Sequence, residues 1–111
     1  MIDKIFQTTC QKWGVSLNDV CSRNRKREFV FTRMTIAYFL RMYTSLSTTE
    51  IGRLINRDHT AILYYLKTYD SEFRFNEVFR NFAESIKEEL EDAPKTPFAR
   101  EMEEEFNEIR G

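Results

Sequence analysis

Between residues 47 and 69 the chain has little freedom in how it can fold. Ser47-Thr-Thr-Glu50 sets a hydroxyl three residues before a carboxylate, the pattern by which two side chains satisfy free N–H groups at a helix start. Ile51, Leu54 and Ile55 follow at helical spacing, so a helix opens here with that face inward. Asn56-Arg57 interrupts it, and asparagine takes the left-handed conformation a sharp turn needs at little cost. Asp58 is a second cap residue, and Ile62, Leu63, Leu66 and Tyr69 resume helical spacing behind it. Two helices joined by so short a turn cross steeply, and the first turn of the second projects beyond the corner.

The rest of the chain reads the same way. With three Gly and two Pro in 111 residues, nearly every segment shows helical rather than alternating periodicity. Ile2, Ile5, Phe6, Cys10 and Trp13 share one face of a first helix that Gly14 stops. Ser16-Leu-Asn-Asp19 resembles a capping box and opens a short second helix ending near Cys21. Residues 22–27 carry four positive charges and no apolar side chain, an exposed loop. A third helix is predicted over 32–43 with Ile36, Phe39, Leu40 and Tyr43 inward, aromatic on more than one side as a central helix is. Phe75, Phe79, Phe82, Ile86 and Leu90 make the stripe of a sixth helix. Pro94 and Pro97 precede a weaker stripe of Phe98, Met102, Phe106 and Ile109. The prediction is an all-α helix-turn-helix bundle over residues 1–91 with an acidic C-terminal tail over 92–111.

The net charge of −1 conceals an asymmetry. Residues 1–70 hold 11 Lys and Arg against 6 Asp and Glu, a net of +5; residues 71–111 hold 6 against 12, a net of −6. A basic front and an acidic back suit an anion-binding module with a tail of opposite sign. Cys10 and Cys21 have no ligand partner at metal-binding spacing and read as reduced, core-lining thiols. The single His excludes multi-histidine metal sites, and no nucleophile–base arrangement has supporting context. Glycines at 14, 52 and 111 alone leave no phosphate-binding G-x-x-x-x-G-K-[ST] loop, hence no nucleotide cofactor. Glu101, Glu103, Glu104 and Glu105 read as a solvated helix face. No run approaches membrane-spanning length and the first residues lack a signal-peptide core, which points to a cytoplasmic, nucleoid-associated protein.

Side chains on a projecting helix start can enter a DNA major groove. Asp58 can accept from cytosine N4, His59 can meet a base edge or a thymine methyl, and Thr60 can do either. Arg23, Arg25, Lys26 and Arg27 lie upstream, where they can grip phosphates or reach a minor groove. Arg33 and Arg41 extend that surface along the third helix. The alternatives are a cap with a surface histidine, and solvated charge.

The run 22–69, with its basic loop, long helix, Glu50-Ile51-Gly52 and Arg57-Asp58-His59-Thr60, resembles the C-terminal DNA-binding domain (domain IV) of the bacterial replication initiator DnaA. The resemblance covers roughly residues 2–70, including the Ile2-Asp3-x-Ile5 opening. It implies a Trp-repressor-like fold and sequence-specific binding of double-stranded DNA at short A·T-rich boxes. Carried across by position, it implies that Arg25 enters the minor groove while Asp58, His59, Thr60 and Ala61 face bases. Arg33, Arg41 and the helix start Ser47, Thr48 and Thr49 would hold the backbone, together with Arg23, Lys26, Arg27 and Arg57. This sequence has Asn56 where the family has two glycines, Ala61 for a second Thr, and Thr49 for a common Pro. The family's ATPase module has no counterpart in these residues, and the acidic region favours a free-standing chain over an excised domain. The expected role is initiation or regulation of DNA replication. A transcriptional or mobile-element regulator on the same fold is the rival. A protein-interaction module, with a partner on the acidic region, is a third.

Overall fold

The computed structural model describes residues 1–91, which form six α-helices and no strand. They are α1 (Ile2–Trp13), α2 (Leu17–Cys21), α3 (Arg27–Tyr43), α4 (Thr48–Leu54), α5 (His59–Phe75) and α6 (Glu77–Leu90). The predicted stripe of Phe98, Met102, Phe106 and Ile109 lies outside the described residues.

The helix boundaries follow from local chemistry. Gly14 adopts φ 67°, and its N–H and that of Val15 close on the carbonyls of Gln11 and Cys10, ending α1. Ser16 and Asp19 form the predicted capping box of α2, as Ser47 and Glu50 do for α4. Asn56 has φ 58°, the left-handed turn expected of it. Asp58 Oδ1 accepts from the Ala61 N–H at 2.9 Å and caps α5.

α3 is the axis of the bundle and packs on α1, α2, α4 and α5, while α6 closes the far side against α1 and α5. Every residue from 32 to 40 is buried. Two threonines survive there because each hydroxyl donates back one turn, Thr32 to Glu28 O and Thr35 to Phe31 O. Aromatic rings lock the layers together: Tyr38 stacks on Tyr69 at 3.7 Å, and Tyr69 meets Phe79 edge-on at 5.3 Å.

Four expectations need correction. α3 starts at Arg27, not 32, because Phe29, Val30 and Phe31 pack on the core and so hold an otherwise uncapped first turn in helix. Leu54 is exposed, and the buried face of α4 is completed by Gly52. Leu63 is exposed and Tyr65 takes its place inside. Phe75 ends α5 at 84% exposure rather than opening the stripe of α6. Asn76 divides the two helices, its side chain accepting from the Phe79 N–H at 3.1 Å. Both cysteines are free and half-buried, and burial, with a smaller effect of Cys21, pushes the Cys10 thiol above its usual range.

Candidate nucleic-acid interface

The corner between α4 and α5 is tight because the α4 residue it closes onto is a glycine. Arg57 N–H donates to Gly52 O at 2.7 Å, and a β-carbon on Gly52 would lie 2.2 Å from Arg57 O. Only a residue without one lets the turn close this far onto α4. The first turn of α5 then projects clear of the bundle, with Asp58, His59 and Thr60 exposed and Ala61 half-buried.

Facing that turn is the loop between α2 and α3. Its backbone is set by its own side chains: Asn24 N–H donates to Ser22 Oγ, and Lys26 N–H to Asn24 Oδ1 at 2.9 Å. Arg23 and Arg25 are exposed, and with Asn56, Asp58, Thr60 and Tyr64 they line an open groove of about 930 Å³. The groove joins a helix start, whose side chains suit base edges, to guanidinium groups that suit phosphates or a minor groove.

The other predicted residues divide. His59 is exposed on the same turn but is not among the residues lining the groove. Lys26 and Arg27 lean on rings at the start of α3, Lys26 over Phe29 at 5.7 Å and Arg27 over Phe31 at 5.2 Å. Arg27 lines a different cleft, with Phe75 and Val78. Ser47 and Thr49 are exposed and Thr48 half-buried at the start of α4, about 10 Å along that helix from the turn. Arg41 is half-buried, and its guanidinium donates to Leu46 O at 3.0 Å, bracing the chain just before them. The Ser47 N–H and then its hydroxyl hold the Glu50 carboxyl below its ordinary range.

Arg33 overturns its predicted place on an outward phosphate-facing surface. Its side chain is 1% exposed, and eight residues at 100° each put Arg33 and Arg41 about 80° apart on α3, not on one face. The guanidinium donates to Val20 O at 2.7 Å, Asp19 O at 2.9 Å and Ser22 O at 2.8 Å. Burial, and then the neighbouring Arg57, push it below its usual range, opposed by Tyr65, first electrostatically and then through a hydrogen bond. Arg57 is half-buried and lines the groove, and its guanidinium donates to Asn56 O at 2.9 Å and Ser22 O at 2.5 Å.

Tyr64 was missed. It is 61% exposed one turn beyond Thr60 and lines the groove. Helical spacing from Thr60 was the available signal.

The family described as bacterial dnaA protein helix-turn-helix matches residues 2–68. Chromosomal replication initiator protein DnaA of Thermomicrobium roseum is 33% identical over 96 residues, covering 86% of this chain and 21% of that protein. The protein of that name from Bacteroides thetaiotaomicron is 30% identical over 86 residues, 77% of this chain and 18% of its own length. That of Oleidesulfovibrio alaskensis is 34% identical over 71 residues, 64% and 15%. The chain thus spans about a fifth or less of the curated relatives it matches.

Proposed function

Since the chain belongs to the bacterial DnaA helix-turn-helix family, we propose that it binds double-stranded DNA sequence-specifically, at DnaA-box-like sites, in the initiation or regulation of replication. The observation that carries this is the groove that sets Arg23 and Arg25 opposite the exposed first turn of α5. Asp58, His59, Thr60 and Ala61 face base edges in the major groove, and Arg25 reaches into the adjacent minor groove. Asp58 keeps one oxygen on the Ala61 N–H as a cap, and its other oxygen serves for a base donor. Arg23, Lys26 and Arg41 supply phosphate contacts, with Ser47, Thr48 and Thr49 at the start of α4.

The role is binding rather than catalysis, without a nucleotide or metal. We take residues 1–91 as the DNA-binding domain; the sequence of 92–111, with six Asp and Glu against three Lys and Arg, has the acidic composition that suits a protein partner. No described helix is long and apolar enough to cross a membrane; a nucleoid-associated location follows from the DNA binding proposed.

Fluorescence anisotropy of the chain against a DnaA-box duplex and its scramble, at two salt concentrations, tests the proposal. With about four cationic contacts, from Arg23, Arg25, Lys26 and Arg41, log K falls with log salt at a slope of roughly −3 to −4. Equal affinity for the two duplexes rejects sequence-specific binding.

A further inference from the structure

The short helix α2 ends in a row of carbonyls; Asp19 O accepts locally from the Ser22 N–H and hydroxyl, and the other donors come from elsewhere in the fold. Arg33 of α3 donates to the carbonyls of Asp19, Val20 and Ser22. The turn between α4 and α5 supplies the rest: Asn56 Nδ2 donates to Cys21 O at 3.3 Å, and Arg57 Nη2 to Ser22 O at 2.5 Å. In return the Cys21 thiol donates to Leu54 O at 3.5 Å. Four successive carbonyls at a helix C-terminus are thus capped by two arginines and an asparagine, cations being favoured at that negative end. Two guanidinium groups converge on the single oxygen of Ser22, three residues before Arg25.

We propose that Arg57, with Arg33 and Asn56, is a positioning device that fixes the Arg25 loop against the first turn of α5. It makes the groove a ruler for the spacing between a minor-groove and a major-groove subsite. This rests on the DNA-binding reading above. Arginine arms that reach a minor groove from a chain terminus are tethered at one end only. Here the arm is an internal loop. One end continues into α3, and the other is gripped by the same turn that launches α5. Inserting one base pair between two subsites separates them by about 3.4 Å along the axis and rotates them by about 35°. That exceeds the tolerance of a hydrogen bond, so a fixed frame must release one subsite whereas a loose one can follow.

The test uses the full chain and the duplex it selects most strongly from a randomised pool. The minor-groove subsite is mapped as the base pairs whose substitution no longer matters in Arg25→Ala. One base pair is then inserted between that subsite and the rest. Wild type is expected to lose about tenfold or more in affinity, the worth of a lost subsite. Arg57→Ala, starting from weaker binding, is expected to lose less than about threefold on insertion, and Arg57→Lys an intermediate factor, since an ammonium replaces only part of the planar fork. An equal loss in wild type and Arg57→Ala overturns the proposal. Hydrogen exchange without DNA supplies a second readout. Arg57→Ala should speed exchange of the 22–26 amides about tenfold while leaving α1 and α6 unchanged. Unaltered exchange at 22–26 also overturns it. If wild type selects no duplex, the DNA-binding reading fails, and the exchange result still decides the coupling.

Discussion

Gly52→Ala separates two physical accounts of the corner because they predict opposite signs. Gly52 lies inside α4, and alanine in a helix is favoured over glycine by about 1 kcal/mol. Propensity alone therefore predicts a stabilised protein. The added β-carbon would stand 2.2 Å from Arg57 O and 3.2 Å from Arg57 C, both backbone atoms that cannot swing aside. Relief requires about 1 Å of separation between α4 and the turn, at an overpacking cost of roughly 2 kcal/mol. The same movement stretches the 2.7 Å bond from Arg57 N–H to Gly52 O, a further loss of about 1 kcal/mol. The balance is a destabilisation of about 2 kcal/mol, a fall in Tm of roughly 8–16 °C for a domain of this size. Thermal unfolding followed by circular dichroism at 222 nm measures it. A Tm equal to or above that of wild type would refute the close-approach account of the turn.

Arg33→Met removes three charged donors from buried carbonyls but restores an apolar core residue, and a net loss of about 2 kcal/mol is expected in urea unfolding. A more stable variant would mean that burying the guanidinium costs more than its bonds return. The Glu50 carboxyl is held below its ordinary value of 4.5 in the fold, so its ionised form contributes stability above that value and loses it as pH falls through the folded one. The advantage of wild type over Glu50→Gln should thus be present at neutral pH and fade below 4.5; a constant difference across that range contradicts the assignment. Arg25→Ala should weaken DNA binding and reduce the magnitude of the salt slope by about one. His59→Ala should narrow the gap between specific and scrambled duplexes, and equal losses on both would remove His59 from the base-reading set.

What was legible in the sequence follows the range of the forces involved. Caps and turns are local: Ser16 with Asp19, Ser47 with Glu50, Asn56 and Asp58 each act within a few residues, and each lies where its chemistry puts it. Faces that depend on several neighbours were read less well. α5 packs on α3, α4 and α6 at once, so the inward arc includes Tyr65 and leaves Leu63 outside. At the site, the exposed residues of the α5 start and the basic loop were visible as types and positions. Arg33 was not, because an arginine on a helix ordinarily reads as a solvated charge. The carbonyls that draw it inward belong to residues more than ten positions away. The hold of Ser22 O on Arg57, which also lines the groove, was equally invisible, because the two residues lie 35 positions apart.

The aromatic layer on the other side of the bundle carries a practical consequence. Trp13 is the sole tryptophan of the chain and sits among Phe82 at 4.4 Å, Phe31 at 5.6 Å and Phe79 at 5.7 Å. These rings come from α1, α3 and α6, and none of them lines the groove between the basic loop and α5. Its emission is therefore an internal gauge of whether the three helices remain assembled, blind to occupation of the groove. Titrating DNA while recording that emission alongside a label on the duplex would report binding and folding in one cuvette. Any variant that loses affinity with an unchanged tryptophan spectrum has then lost a contact and not its fold.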